Sequence, residues 1–446
     1  MKANEFLPTS KLGRTYAGGK TAIKLGARTV GYWSRKPFLS ADSQKNLKEA
    51  FDRQSGEILF QGLSLLKGTA LKIAQMLSME LDIFPPAVRR ELSKSCHQVP
   101  PMNRALVRKI IISNLGKPPE ALFASFEPIA FAAASLGQVH RATDRDGAPL
   151  AVKIQYPGIS ATIRNDIQMI KALLFPLPEY QLLRPVLKEI EARLMEEIDY
   201  EQEAQHLVYF QNQLKLDHVA VPTFFPETSC QNVLSQGRLD GVPLNEWLSA
   251  DPTQEERDSV AGRIHSIYQH GLYELNCIHA DPNPGNFLVG PDLSIGLVDF
   301  GCIKCFDSHF IDLYKQLPRM ALKGTAEQVW DLLCEFGMPG DHPDRQAHDI
   351  ITNIFMETGK WFAQLYEQEY FDFGAHPDFI ERGKQISYQS IALRKHMKQV
   401  NTNFVYLHRT RYGLIRLFEM MKARVRMWNP YEWEGGDDGE EKSNSG

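Results

Sequence analysis

The stretch His279-Ala-Asp-Pro-Asn-Pro-Gly-Asn286, followed by Asp299-Phe-Gly301, constrains this chain more than any other feature. Asp281 and Asn286 lie five residues apart, and Asn286 and Asp299 thirteen, with a turn and a short hydrophobic run between them. Phosphoryl transfer needs a carboxylate near the attacking hydroxyl and oxygen ligands for a Mg2+ that bridges the phosphates. The spacing supplies that set: Asp281 as candidate base, Asn286 and Asp299 as candidate Mg2+ ligands. A lone D-F-G recurs at turns by chance. With this loop thirteen residues ahead of it, the signal is specific.

Ala151-Val-Lys153 falls on an expected strand upstream of the loop. A Lys inside an apolar strand is costly unless its ammonium meets an anion. In kinases that anion is the α/β-phosphate pair, shared with a Glu on the next long helix. The helix expected from Pro185 to Leu214 offers Glu189, Glu191, Glu196, Glu197, Asp199, Glu201 and Glu203, and spacing does not choose among them. Where a Gly-rich phosphate loop would stand, the chain has Ala132-Ala-Ala-Ser-Leu-Gly-Gln-Val139. Ala does not visit φ > 0 as Gly does. Donors to phosphate along Ala132, Ala133 and Ala134 would therefore be arranged differently, with Ser135 and Gln138 adding side-chain contacts. Gly18-Gly-Lys-Thr21 imitates the end of a P-loop, but the motif's first Gly would fall on Arg14 and no strand precedes it. Lys72 and Gln75, three apart, share a helix face; spacing alone makes them an ordinary polar surface. Cys302-Ile-Lys-Cys305 lacks a second ligand pair and reads as two small core-filling thiols, not a zinc or redox site.

The length of 446 residues asks for about three folding units. Residues about 42–115 read as helices, with Leu65, Leu66, Ile73, Met76 and Leu77 as a stripe closed by Pro85-Pro86. Ile129–Ala134, Gln138–Ala142 and Leu150–Gln155 read as strands, the last two joined by a turn at Asp144–Gly147. From about residue 241 the chain is mostly helical, with short strands at Phe287–Val289 and Ile295–Val298. The net charge of −4 gives no reason to expect a nucleic-acid partner. No apolar run approaches the roughly 18 residues that span a bilayer. Six scattered Cys read as reduced thiols. The expectation is a cytoplasmic chain with no transmembrane segment.

Charge is uneven along it. Residues 1–40 carry eight basic residues against Glu5 alone. Lys20, Lys24 and Arg28 share one helical face and Ile23, Ala27 and Val30 another, a pattern suited to an anionic membrane surface or to docking on the chain's own core. Phe404–Trp428 is a second basic segment, either a surface helix or the last helix of a domain. After Pro430, Glu432, Glu434, Asp437, Asp438, Glu440 and Glu441 form an acidic tail expected to be disordered.

The chain resembles the UbiB/AarF family of atypical kinase-like proteins. The resemblance rests on Lys72-Ile-Ala-Gln75, Ala132–His140, Val152-Lys-Ile-Gln-Tyr-Pro-Gly158, Glu197-Ile-Asp-Tyr-Glu-Gln-Glu203, His279–Asn286 and Val298-Asp-Phe-Gly301. It extends to about residue 428. It implies an α+β, protein-kinase-like two-lobe fold with an N-terminal helical extension covering the active-site cleft. The domains would be 1–115, the extension; 116–240, a β-rich N-lobe; 241–430, a helical C-lobe; and 431–446, the tail. Gln236-Gly-Arg238 would be the inter-lobe linker, beside the nucleotide. ATP and Mg2+ are the implied cofactors. Lys153 would pair with Glu203 and the phosphates, Glu197 and Asp199 would be an E-x-D pair, and Lys72 and Gln75 a K-x-G-Q signature aimed at the cleft. The implied activity is ATP hydrolysis or phosphoryl transfer supporting ubiquinone biosynthesis. Implied partners are an isoprenoid lipid or quinone precursor, quinone-biosynthesis enzymes and the inner-membrane surface, held peripherally. Three departures stand out: Ala74 replaces the Gly of K-x-G-Q, Asn283 stands where protein kinases often have Lys, and no A-P-E follows the D-F-G. A small-molecule kinase of the aminoglycoside or choline type and a nucleotide-binding scaffold are the competing readings.

Overall fold

Residues 11–66, 69–80, 101–134, 136–175, 177, 180–337, 345–390 and 401–433 are described by a computed structural model. The chain forms two compact units. One holds residues 1–204 and 224–238, the other residues 205–223 and 239–446.

The first unit opens with three helices, α1 (Lys11–Arg35), α2 (Ala41–Leu66) and α3 (Thr69–Glu80). Helix α4 (Arg104–Leu115) is capped by the Asn103 side chain and ends at Gly116, whose φ of 73° is the left-handed conformation that glycine adopts at no steric cost. Strands β1 (Ser125–Phe126), β2 (Ala132–Ala134), β3 (Gly137–Thr143) and β4 (Pro149–Gln155) follow. Both β1 and β2 pair with β3, at its opposite ends, and β4 pairs with it antiparallel. Asp144 closes the β3–β4 turn by accepting the Asp146 and Ala148 amides. Helices α5 (Ile159–Leu174), α6 (Tyr180–Glu196) and α7 (Tyr200–Gln213) come next, α7 belonging to the second unit from residue 205 onward. After β5 (Val219–Ala220), strand β6 (Val233–Gly237) completes the first unit's sheet against β4.

Two larger cores and a small one around Tyr200, Ala204 and Leu234 hold this unit among the described residues. Leu25, Phe51, Ile73 and Leu77 of the leading helices are packed in one cluster with Ile163, Ile167 and Ile170 of α5 and Leu187 and Ile190 of α6. Helix α4 instead joins the sheet: Val107, Ile110 and Ile111 cluster with Leu150, Val152 and Ile154. The expected extension 1–115 is thus shared between two layers, its last helix belonging to the sheet. Of the expected 65–77 stripe, Ile73 and Leu77 are fully buried and Met76 packs beside them. The side chains of Leu65 and Leu66, and Pro85-Pro86, lie outside the described residues.

Two elements differ from the sequence reading. Helix α5 was absent from it, although its buried positions 163, 167, 170 and 174 follow a helical period. The single helix expected over 185–214 is two. Asp199 ends the first and caps the second, its carboxylate accepting the Gln202 amide and its carbonyl the Glu203 amide.

In the second unit, β7 (Val242–Pro243) leads to α8 (Gln254–Tyr273), which opens with a Thr253–Glu256 capping box. Strands β8 (Cys277–His279), β9 (Phe287–Val289), β10 (Ile295–Leu297) and β11 (Ile303–Cys305) carry the candidate loops between them. Strand order is β5-β10-β9-β7, with β8 and β11 forming a separate two-stranded ribbon. Helices α9 (Ser308–Lys323), α10 (Ala326–Glu335) and α11 (Arg345–Ala363), strand β12 (Phe371–Asp372), helices α12 (Phe379–Ser390) and α13 (Thr402–Met421), strand β13 (Arg424–Val425) and the single turn α14 (Pro430–Trp433) complete it.

Two expectations are corrected here, and a third is decided. Of the two readings of the basic segment 404–428, the helix of a domain holds and the surface helix does not: Phe404, Leu407, Leu414, Phe418 and Met421 of α13 are buried. Its Arg411 donates to Tyr314 Oη at 2.8 Å and to Tyr366 Oη, and lies 3.5 Å from Glu432. Glu432 therefore is not part of a solvated tail. It is 2% exposed, accepts from the Tyr273 hydroxyl, and is the counter-ion that a buried guanidinium requires. Residues 434–446 lie outside the described residues. Lastly, Cys305 is not a core thiol partnered in sequence with Cys302. It is exposed and disulfide-bonded to Cys277 across the β8–β11 ribbon. Nearby, burial, with Arg411 adding to it, pushes the imidazole of His265 down to about 4, so it packs as a neutral ring.

Candidate active site

In the first unit, β4 presents Lys153 between Val139 of β3 and Leu234 of β6. Its side chain is 7% exposed and that of Glu203 is 3%, and the two form a salt bridge. An isolated charge in such surroundings carries a desolvation penalty of several kcal/mol, so the pairing is what permits both charges there. Among the seven acids left open by spacing, Asp199 makes the selection. By starting α7 where it does, it sets Glu203 one turn into the helix, facing β4.

Gly137 opens β3 opposite Gln155 of β4. A Cβ there would overlap the Ile154 carbonyl and stand 3.1 Å from the Tyr200 hydroxyl. The Gly of the Ala-rich motif thus serves close backbone approach, not a flexible phosphate loop. Ala132 and Ala133 are exposed and Ala134 half-buried on β2. Ser135 lies outside the described residues. Gln138 departs from its expected role. It is 2% exposed, its Oε1 accepts the Met102 amide at 2.8 Å, and its Nε2 is 2.7 Å from His140 Nε2. The His140 Nδ1 lies 2.9 Å from the Glu127 carbonyl, and burial lowers its pKa, in keeping with a neutral ring. Gln138 is therefore engaged in tying residue 102 to the sheet. Gln236 is buried on β6 opposite Ala151, and the half-buried Arg238 donates its amide to the Pro149 carbonyl.

Lys72 on α3 forms a salt bridge with Glu197, in the segment joining α6 to α7. Asp199, the other half of the E-x-D pair, is the α7 cap. The Gln75 side chain lies outside the described residues. One buried carboxylate escaped the sequence reading: Asp166 of α5, fully buried, accepts from Thr69 at the start of α3. No motif announces it, because its partner is 97 residues away.

In the second unit, His279 ends β8 with its Nε2 2.6 Å from the Asp299 carbonyl, fastening the two candidate loops to each other. Asn286 Nδ2 donates to Asp281 Oδ2 at 2.9 Å and to the Asp281 carbonyl at 3.1 Å. Both hydrogens of that amide are thereby committed, which turns its carbonyl oxygen away from them. Asn283 closes the turn by accepting the Gly285 amide. Asp299 Oδ1 accepts the Gly301 amide at 3.0 Å. Phe300 is fully buried, 5.7 Å from the Phe210 ring, and its carbonyl is 3.0 Å from His206 Nδ1. The Asp299 carboxylate and the Asn286 amide oxygen are hard donors that fit Mg2+. Among the described residues no group of three His, Cys, Asp or Glu side chains competes with this mixed set. A further residue had no sequence signal. Gly413 of α13 faces the loop so closely that a Cβ there would overlap Pro282 Cγ.

Residues 94–333 match the ABC1 atypical kinase-like domain. That span is more than half of the 446 residues. The chain belongs to this family. Rat mitochondrial atypical kinase COQ8B is 30% identical over 376 residues, 83% of this chain and 70% of that protein. Yeast mitochondrial atypical kinase COQ8 is 28% identical over 374 residues, 82% and 74%. A solved complex of a Mycobacterium tuberculosis protein with erythromycin shares the fold at a TM-score of 0.54 and 23% identity, over 86% of this chain and 96% of that one. The resemblance drawn from the motifs, the α+β kinase-like fold and the assignment to a kinase-like enzyme family are borne out. Lys72 and Gln75 precede the matched ABC1 span; Lys153, Glu203, Asp281, Asn286 and Asp299 lie within it.

Proposed function

We propose that this ABC1-family chain is a Mg2+-dependent ATPase or phosphotransferase supporting ubiquinone biosynthesis. The observation that carries the reading is the buried Lys153–Glu203 pair. A chain retains a costly buried ammonium where an anion is to be met, and triphosphate oxygens are such anions. Lys153 would hold the phosphates, Asn286 and Asp299 would hold the metal, and Asp281 would accept the proton of the attacking hydroxyl or water. The metal would neutralise charge on the transferred phosphoryl group. Expected partners are the nucleotide, an isoprenoid quinone precursor and enzymes that process it.

The direct test is a thermal shift with Mg-ATP. Binding at 100 times Kd stabilises by about 2.7 kcal/mol, so a rise of several degrees is expected. No response at millimolar Mg-ATP would end the proposal. The competing small-molecule kinase has no use for the Lys72–Glu197 pair. Deleting residues 1–115 is not the discriminating experiment, because Leu25, Ile73 and Leu77 belong to a core shared with α5 and α6. Lys72→Ala is. The pair is about a quarter exposed on each side, so its loss should alter stability by under about 1 kcal/mol. A fall in ATP turnover at unchanged stability favours our reading, and unchanged turnover favours the small-molecule kinase.

Pro282 and Gly413 yield a second expectation. Gly413→Ala should displace the Asp281 loop and lower kcat roughly 10- to 100-fold. Adding Pro282→Ala should restore most of the loss by making room. Unchanged kcat in Gly413→Ala would rule out the contact as the seat of the loop.

Membrane attachment would be peripheral. Among the described residues no helix is long and apolar enough to cross a membrane. Helix α1 buries Leu25 and Tyr32, yet Ile23 is 74% exposed, Val30 69%, Trp33 51% and the following Phe38 87%. Lys24, Arg28 and Arg35 lie exposed among them. This mixture suits the interface of an anionic bilayer. Vesicles rich in anionic lipid should retain the protein at low salt and release it at high salt, and Trp33→Ser/Phe38→Ser should weaken retention. Equal retention on uncharged vesicles would refute the surface.

A further inference from the structure

We propose that Cys277 and Cys305 form a reversible redox site that governs the Asp281/Asn286/Asp299 loop, a role that rests on the Mg-nucleotide reading above. The pair is placed by the strand register. Cys277 lies opposite Cys305 in the antiparallel β8–β11 ribbon. The Ala280 amide donates to the Cys302 carbonyl and the Phe306 amide to the Asn276 carbonyl. Hydrogen-bonded positions alternate from there, which puts Cys277 and Cys305 at a non-hydrogen-bonded position, where facing side chains are closest.

The ring that this bond closes spans 28 residues and encloses Asp281, Asn286 and Asp299 together. The ribbon itself has only two strands of three residues. Such a ribbon is weak by itself. With the bond closed, the loop is fastened at the disulfide and again at His279 Nε2, 2.6 Å from the Asp299 carbonyl. With it open, more of the ordering falls to the bound ligand.

The two sulfurs are unequal. Cys277 is fully buried, whereas Cys305 is exposed. A small thiol of the glutathione class therefore reaches Cys305. Its thiolate attacks Cys305 Sγ, a mixed disulfide forms, the Cys277–Cys305 bond breaks, and Cys277 leaves as a thiolate that takes a proton from water. A second thiolate attacks the glutathione sulfur of the mixed disulfide. Cys305 is released and protonated, and glutathione disulfide departs. Two thiols thus give two electrons to the protein disulfide, and glutathione disulfide is the oxidant for the reverse course. Among the described residues, Cys230 and Cys334 carry no disulfide. A bond beside such thiols fits a responsive disulfide better than a disulfide scaffold, which takes up cysteines throughout a chain.

The full-length protein is equilibrated in glutathione buffers of stepped reduced-to-oxidised ratio. Free thiols are alkylated, and the Cys277 and Cys305 peptides are read by mass while Mg-ATP affinity is measured in parallel. The pair is expected to titrate within the series, and Mg-ATP to bind the oxidised form about fivefold or more tightly. By linkage, bound Mg-ATP should shift the reducing ratio by the same factor. Cys305→Ser should match the reduced protein at every ratio, and Cys334→Ser should retain the response. Two free thiols throughout the series overturn the site. Equal affinity in both states overturns the coupling alone. No nucleotide binding in either state overturns the coupling together with the nucleotide reading.

Discussion

Asp299→Asn is expected to lower Mg2+-dependent ATP turnover by roughly 10²- to 10³-fold, the several kcal/mol that a metal contributes to a phosphoryl transition state. The substitution is nearly isosteric. An amide oxygen can still accept the Gly301 amide that Asp299 Oδ1 now accepts at 3.0 Å, so the turn should persist. Melting of the free protein should move by no more than about 2 °C. The readout is kcat across a Mg2+ titration, beside Mg-ATP affinity. Wild-type affinity and wild-type Mg2+ dependence together would remove Asp299 from the metal.

Lys153→Met carries the second large effect, on stability as well as activity. Glu203 is 2% exposed, and without Lys153 its buried carboxylate would lose the ammonium that it pairs with. Removing one member of a buried pair costs about 3–5 kcal/mol. For a unit of this size the melting temperature should fall by roughly 10 °C. Lys153→Met/Glu203→Leu should recover most of that stability, because no charge remains stranded, and should stay inactive. The double variant separates the two roles: a stable, nucleotide-blind protein is the expected result. A single variant that melts within about 2 °C of wild type would mean that the pair is not buried as a unit. A double variant less stable than the single would mean that the pair is held by more than mutual neutralisation.

The parts of the site readable from sequence are those whose chemistry imposes a spacing. Asp281, Asn286 and Asp299 are separated as a turn and a short strand pair require. Strands β3 and β4 were readable as short β-rich runs joined by a turn, with Lys153 as the charge out of place in β4. The choice of Glu203 from seven acids was not readable by period, since a continuous helix through 185–214 would have rotated those acids differently. Only the break at Asp199 fixes which of them faces β4. The internal partners of Gln138 were unreadable for a related reason. A polar residue in a motif is ambiguous between ligand contact and internal tie, and its acceptor role toward the Met102 amide depends on a segment 36 residues upstream.

By itself, then, the sequence determined the candidate loop residues, the strand carrying Lys153 and the kinase-like family, because each is encoded in residues a few positions apart. Tertiary structure decided the rest. It set Lys72 against Glu197 across 125 residues and made Glu432 a buried counter-ion for Arg411 instead of part of a solvated tail. It brought Gly413 against Pro282 and Cys277 across from Cys305. The physical reason is common to all four. Burying a charge, seating a loop without a side chain and facing two sulfurs across a ribbon are properties of distance in space. Local periodicity and turn chemistry carry no information about which distant segment will arrive there.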